Sequence, residues 1–538
     1  MASFPCPTWA DDSATAHALR ATMDRLDSDD PRSPQTLSAR LDYARFLVDG
    51  PGDACGKRLD DAQAQLDQVN TGSALELTLP MGVARATDMD YRIHLGRADC
   101  SQDAASRERE LHSGLDAAQR AVALYRDAFD YASMATLQFN VGQVHRRLQE
   151  DAAAATALET AIAMDREWGF AADAEENIRT LMSWKNEPAN ETQVSAQMSD
   201  FPNRSRTLKL GWTADDATVS IQADYRSLFD NTLTQRHGRR SLQRQIRPIA
   251  GGWMVSYAGA PPEFDPGAPI ADAATFETLI LYFSRTLLVH STFEINRGGD
   301  FKSVVDLGEV SSRLMSEASP FNGLNVASGA QAIALQHAGE QALHTTLNLR
   351  AVHATLSEDY NLETGMWVDA TLEQGVWYDL SADLSLTAAP AEFIKHRLEF
   401  AYTRSLPCTA DAGDARCIEV VIHATPDAHA LKNLLDRVDH HLGSRGRLNV
   451  RYWSTLYVRL VVDPDTLQLW RRDTRRYEYL STRDSGSAPS LAELEQTSAT
   501  YSRRGNAYPG RQCLPGGAMA TPRGHADWRR RGASAEGN

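Results

Sequence analysis

The sequence predicts an α+β multidomain protein: an N-terminal α-helical hairpin array, then a mostly antiparallel curved β-sheet with two or three packed helices, then a disordered tail. Three observations carry this reading. Apolar residues recur at three- and four-residue steps up to residue 185, and at two-residue steps from 207 onward. Acidic charge is concentrated early: residues 1–200 hold 19 Lys and Arg against 33 Asp and Glu, whereas 501–538 hold seven Arg against one Asp and one Glu. The chain has 538 residues, more than one hydrophobic core can organise.

Residues 1–185 are rich in Ala, Leu, Arg and Glu, which cost little in a helix. Leu115, Ala118, Ala121, Val122 and Tyr125 share one helical face, and Met134, Leu137, Val141, Val144 and Leu148 share another. Residues 151–164 follow with Ala154, Leu158, Ala161 and Ile162 on one face, then 171–184 with Ala174, Ile178 and Leu181. The stretch from Tyr131 to Met164 resembles a tetratricopeptide repeat. Gly142 stands at the small position of the first helix, Ala154 and Ala161 at the two small positions of the second, and Leu158 at the large position between them. His145 departs from the usual aromatic, Gln149 from the second Gly, and Arg166 from the terminal Pro; the nearest upstream analogue is offset by 40 residues. The resemblance implies close helix crossings at Ala154 and Ala161 and a surface that binds a protein partner.

Residues 186–206 are polar, contain Pro188 and Pro202, and read as a linker. From 207 to 483 the period is two. Leu208, Leu210 and Trp212 alternate with polar residues or Gly. So do Val219, Ile221, Ala223 and Tyr225, then Trp253, Val255 and Tyr257, and the run from Val376 to Leu386. Such alternation marks strands with one buried and one wet face. Helical stripes interrupt it at 276–287, 332–356 and 428–442. Residues 455–462 and 467–480 read as strands joined by a turn at Asp463-Pro464-Asp465-Thr466. This ending is similar in architecture to envelope carriers of the lipoprotein-carrier type, which implies an apolar ligand in the curved sheet. Residues 484–538 are rich in Gly, Ser, Pro and Arg and are expected to be disordered and basic.

The formal charge of −16 disfavours nucleic-acid binding, which relies on clustered Lys and Arg. No run of 18 apolar residues occurs, so no membrane-spanning helix is expected. His-Glu-x-x-His, Gly-x-Ser-x-Gly, Gly-x-Gly-x-x-Gly and Cys-x-x-Cys are all absent, so no catalytic residue, metal site or cofactor is predicted. Asp439-His440-His441 is a dense polar cluster. Adjacent residues on a helix point about 100° apart, which is poor geometry for one metal ion. Arg471, Arg472, Arg475 and Arg476 read as the guard of an exposed sheet edge. Trp367 and Trp377 flank Glu373-Gln374-Gly375, and Trp377 has the parity opposite to the Val376–Leu386 stripe. It therefore belongs to a second packed layer or to a ligand wall.

Cys408 and Cys417 bracket a turn-rich loop, which predicts a disulfide at the base of a hairpin. Direct pairing of 408 with 417 sets Phe400 opposite Thr425 and Tyr402 opposite His423, so the prediction requires a bulge near Pro407. With the disulfide, the chain is periplasmic or secreted and needs an export signal that the first fifteen residues do not resemble; without it, the chain is cytoplasmic. The expectation is a noncatalytic bacterial interaction or scaffold protein. Its helices bind a protein partner, and its sheet binds a ligand or second partner. The alternatives are an envelope carrier of an apolar small ligand and an enzyme without a linear motif.

Overall fold

The structure, a computed structural model, describes residues 12–49, 55–70, 75–185, 191–199, 205–207, 214–229, 232–259, 263–264, 292–296, 301–305, 371–386, 389–409, 417–442, 450–466, 468–482, 490–503 and 529–530. It is an α+β protein. The chain divides into two compact units: Met1–Asn203 with Tyr477–Leu480 and Ala492–Leu494, and the remainder from Arg204 on.

The first unit is helical. Helices α1 (Asp12–Asp29), α2 (Pro34–Asp49), α3 (Lys57–Asn70), the single turn α4 (Leu75–Thr78), α5 (Gly82–Cys100), α6 (Ala104–Asp127), α7 (Tyr131–Arg147), α8 (Asp151–Trp168) and α9 (Ala171–Trp184) follow one another through short turns. The starts of α6 and α7 are capped by Asp103 and Asp130, whose carboxylates accept from the backbone of Ser106 and Ser133 at 2.9 and 3.1 Å. The turns after α6 and α7 pass through left-handed conformations at Phe129 and Gln149, with φ of 63° and 64°. Gln149 holds the position where the repeat resemblance expects Gly, so this turn needs the conformation that glycine adopts most readily. A disulfide joins Cys55, just before α3, to Cys100, the last residue of α5, with Cα atoms 5.5 Å apart.

The stretch expected to be a linker contains helix α10 (Glu191–Ser199), whose Val194 is buried with Ile178 and Met182 of α9. With only Val194, Ala196 and Met198 apolar, it carries too little periodicity to stand out in sequence.

The second unit holds a 13-stranded sheet apart from the Tyr477–Leu480 and Ala492–Leu494 pieces of its strands. Its order is β15-β9-β10-β11-β12-β13-β14-β2-β3-β4-β6-β7, with β5 paired to β3. The strands are β2 (Asp215–Phe229), β3 (Thr232–Ile249), β4 (Gly252–Gly259), β5 (Glu263–Phe264), β6 (Thr292–Asn296), β7 (Phe301–Val304), β9 (Trp377–Leu386), β10 (Ala389–Leu406), β11 (Cys417–Pro426), β12 (Val450–Val462), β13 (Leu469–Thr482), β14 (Ser490–Arg503) and β15 (Arg529–Arg530). Two short strands, β1 (Ser205–Thr207) and β8 (Thr371–Glu373), pair separately. One further helix, α11 (Ala428–Leu442), packs on β10 and β12 and is capped by Asp427, whose carboxylate accepts from His429 and Ala430. The stretches read as helices at 276–287 and 332–356, and the strand at 208–212, lie outside the described residues.

Two readings are corrected. The segment assigned to a disordered tail contributes β14, which lies between β13 and β2. It looks polar because Glu493 and Glu495 interrupt its apolar residues, yet both are buried beside Ala492 and Leu494. As a result β13 is an interior strand, and its Arg run does not guard an edge. Arg472 is buried, and Arg471 donates to Asp473 on its own strand.

One face of the sheet carries a large apolar cluster, with buried Arg240 and Arg244 of β3 and Asp215 of β2 set among it. Val219 and Ile221 of β2, Leu242 and Ile246 of β3, Val255 and Tyr257 of β4, and Phe293 and Ile295 of β6 join Leu398, Phe400, Ile422, Val458 and Tyr501 in a single cluster. Period-2 alternation put these residues on one side, and the long β2–β3 pairing keeps them in step, with Val219 opposite Leu242.

Candidate functional site

The helical unit has a close helix contact where α7 meets α8. A Cβ on Gly142 would stand 3.3 Å from the Ala154 carbonyl oxygen, 3.5 Å from the Leu158 nitrogen and 3.5 Å from the Trp184 ring. Ala154, Leu158 and Ala161 are fully buried. Gly142, Ala154 and Leu158 thus meet where α7 contacts α8, and Ala161 is buried in a cluster with Leu158, Ile178 and Met182.

A groove opens elsewhere in the same unit. It has a volume of about 420 Å³ and lies among α3, α4, α5 and α6. Leu66, Leu75, Val83 and Ala86 supply apolar lining; Gln63, Asn70, Glu76, Thr87, Asp90 and Arg120 supply polar groups. Asp90 stands between Arg120 Nη2 at 3.5 Å and His94 Nε2 at 3.6 Å, and Glu110 meets His94 Nδ1 at 2.7 Å. Residues three and four apart on α5 place Val83, Ala86, Thr87 and Asp90 on one side of the helix. The sequence reading did not find this groove. Its residues come from four helices, and only their packing joins them.

The sheet carries chemistry of two kinds. On the face opposite the apolar cluster, Glu419 is fully buried and accepts from Thr403 Oγ1 at 2.9 Å, Arg459 Nε at 2.7 Å and Arg404 Nη2 at 3.2 Å. Burial pushes its carboxyl up, but Arg459 and Arg404 outweigh this and hold it below its ordinary value. Arg459 continues to Asp473 at 3.0 Å, and Ser498 donates to Asp473 at 2.7 Å, so the chain of contacts crosses β10 to β14.

This network also fixes the strand register. Tyr402 pairs with Val420 and Arg404 with Glu419, so Thr403 is the extra residue of a bulge. Its hydroxyl bonds to both the backbone and the carboxylate of Glu419. Phe400 consequently faces Ile422 and Tyr402 faces Val420. Cys408 and Cys417 are joined by a disulfide, with Cα atoms 5.0 Å apart. The bulge that reconciles this with the apolar pattern lies at Thr403 and not near Pro407. Cys417 pairs across the ladder with Leu406, and Cys408 reaches it from beyond the strand end.

Trp377 lies on the face opposite the core and contacts the His423 ring at 4.9 Å; His423 in turn meets Tyr457 edge-on at 4.6 Å. Desolvation lowers the pKa of His423 to about 4, so the ring is neutral at physiological pH. The helix α11 carries Asp439, His440 and His441, whose side chains, like Trp367, lie outside the described residues. Among the described residues no group of three His, Cys, Asp or Glu could hold a metal ion. No described helix is long and apolar enough to cross a membrane.

At the sheet end formed by the starts of β13 and β2 and the end of β14, Asp215 accepts from two buried guanidiniums. Arg503 gives Nε and Nη2 at 2.9 and 3.2 Å, and Arg244 gives Nη2 at 3.0 Å. Arg244 stacks over Tyr501 at 4.6 Å and Arg503 over Trp470 at 4.4 Å. Burial draws the Arg503 pKa below its ordinary value despite Asp215.

No family model and no curated protein matches the chain. Among solved structures, a lipovitellin structure described by its lipid–protein interactions aligns at 8% identity with a TM-score of 0.28. The alignment covers 58% of this chain and 26% of that one. The matched part is thus about a quarter of the lipovitellin chain.

Proposed function

We propose that this chain is a noncatalytic interaction protein whose helical unit binds a short segment of a protein partner in the groove among α3, α4, α5 and α6. The single observation that supports this is the groove itself: its volume of about 420 Å³ falls in the range of ligand sites, and its lining mixes apolar surface with a few charged groups. Leu66, Leu75, Val83 and Ala86 receive an apolar side chain. The excess of acidic over basic residues in 1–200, with Glu76 in the lining, favours a basic residue next to it. The resemblance of 131–164 to a tetratricopeptide repeat supports the same reading. The two disulfides support an oxidising compartment, where such bonds persist.

The test is a positional-scanning library of twelve-residue peptides, screened against the full chain and a Thr87→Trp variant that fills the groove. Enrichment of an apolar residue beside Lys or Arg, lost in the variant with an unchanged melting temperature, is the expected result. Equal enrichment by both proteins would exclude the groove. A second reading, an apolar ligand carried by the sheet, is favoured by the apolar cluster around Phe400 and Val458. Organic extraction of protein purified from its source, followed by mass spectrometry, tests it; an extract without lipid in stoichiometric amount counts against it.

A further inference from the structure

Arg503 has three nitrogens, and the structure uses only two. Nε and Nη2 meet the two oxygens of Asp215, and Nη2 also donates to the Leu469 carbonyl at 3.1 Å. Nη1 is buried and has no acceptor among the described residues. The ring on which this guanidinium stacks has the same feature: Trp470 Nε1 is buried and has no acceptor among them. Buried donors are almost always satisfied, because each that is not loses its hydrogen bond to water without replacement. Two such donors on one stacked pair form a ready-made site for an acceptor.

The surroundings hold this pair in place. Asp215 bonds the far edge of Arg503 and is held from its other side by Arg244, itself stacked on Tyr501. The guanidinium therefore has little rotational freedom, and the cost of ordering it for a ligand is already met. One charged and one neutral donor suit a monoanion. A phosphate dianion would bring a second charge beside partly buried groups, at a larger desolvation cost.

We propose that Trp470 and Arg503 bind the carboxylate of a small organic acid, with Arg503 Nη1 donating to one oxygen and Trp470 Nε1 to the other. The site is in the sheet unit and does not depend on the groove of the helical unit. Asp215 competes for the same guanidinium, so it limits affinity while setting geometry.

The experiment is isothermal titration of the full chain with sodium acetate, sodium hexanoate and sodium phosphate at constant ionic strength. Saturable binding of a carboxylate, tighter than that of phosphate, is expected. Trp470→Phe keeps the ring beneath Arg503 and removes only the donor; it should weaken binding by about fivefold, and Arg503→Met by about fiftyfold, as expected for a neutral and a charged hydrogen bond. Asp215→Asn should tighten binding. Should Arg503→Met fail to fold, Trp470→Phe and Asp215→Asn still decide the matter. No saturable carboxylate binding by the wild type, tighter binding of phosphate, or unchanged affinity in Trp470→Phe would each overturn the proposal.

Discussion

The helical unit and the sheet unit solve the same packing problem with partners at different distances along the chain. In the first, α7 and α8 are joined by three residues and meet at Gly142 and Ala154, both small. In the second, Arg503 of β14 bonds to Asp215 of β2 across 288 residues, and charged groups such as Glu419 are enclosed among strands. Local packing can be satisfied by choosing small residues one helix turn at a time. Non-local pairing needs each buried charge to meet a partner that the neighbouring sequence does not supply. The difference shows that burial of polar groups, more than apolar periodicity, distinguishes how the two units are specified.

The strongest way to sharpen this contrast is through the disulfides. Cys55–Cys100 closes 45 residues of separation and Cys408–Cys417 closes nine. In the chain-entropy model, replacing the first pair with Ala should cost about 4 kcal/mol and the second about 3 kcal/mol. Urea unfolding of both double variants checks the order; a larger loss for the short loop would mean that strain or unfolded-state structure dominates.

Proton linkage should run in opposite directions in the two units. Asp165 of α8 is buried, which raises its pKa to about 7 despite a 2.7 Å bond from Asn177 Nδ2. The folded state therefore keeps a proton that the unfolded chain releases, and the contribution of Asp165 falls as pH rises from about 4 to about 7. His423, held near 4, behaves in the reverse sense: the unfolded chain takes up the proton first, so its contribution falls as pH drops from about 6.5 to about 4. Each effect can reach about 3 kcal/mol. Urea titrations at pH 4.5, 6 and 8 should show Asp165→Asn relieving the alkaline loss and His423→Phe relieving the acidic one. The same slope in both variants as in wild type would break the comparison.

Smaller effects probe the helical hairpin alone. Ala154→Leu forces a large side chain against the backbone near Gly142 and should cost about 1–3 kcal/mol; an unchanged melting temperature would mean the crossing is loose. Gln149→Gly should stabilise by at most about 1 kcal/mol, because the left-handed φ of 64° suits glycine while glycine also frees the unfolded chain. Destabilisation would show that the Gln149 side chain contributes more than its backbone costs.

Legibility follows the same division. Leu115 to Tyr125, the small residues of α7 and α8, and the alternating residues of β2 and β4 were readable because their burial follows from local period. The Cys408–Cys417 pair was readable from its loop, although Thr403 rather than the neighbourhood of Pro407 carries the bulge. Cys55–Cys100 was not, because its two ends meet only after α3 and α5 have packed. Strand β14 was missed because buried Glu493 and Glu495 have the composition of exposed residues. The Trp470–Arg503 pair lay beyond reach for a similar reason: stacking across two strands leaves no spacing signal.

The position of β14 bears on how the sheet is assembled during synthesis. Strands β2 to β7 and β9 to β13 form two groups, and β14 lies between them. Until Ser490–Arg503 leaves the ribosome, β2 and β13 each lack one neighbour. At about 5–20 residues per second, the 288 residues from Asp215 to Arg503 take about 15–60 s to make. For most of that interval the unpaired edge of β2 is open to other chains, and the edge of β13 joins it only once Leu469–Thr482 has been made. Closure of the sheet therefore comes late in translation, and a chain that stops before residue 490 has both strand groups but nothing to join them.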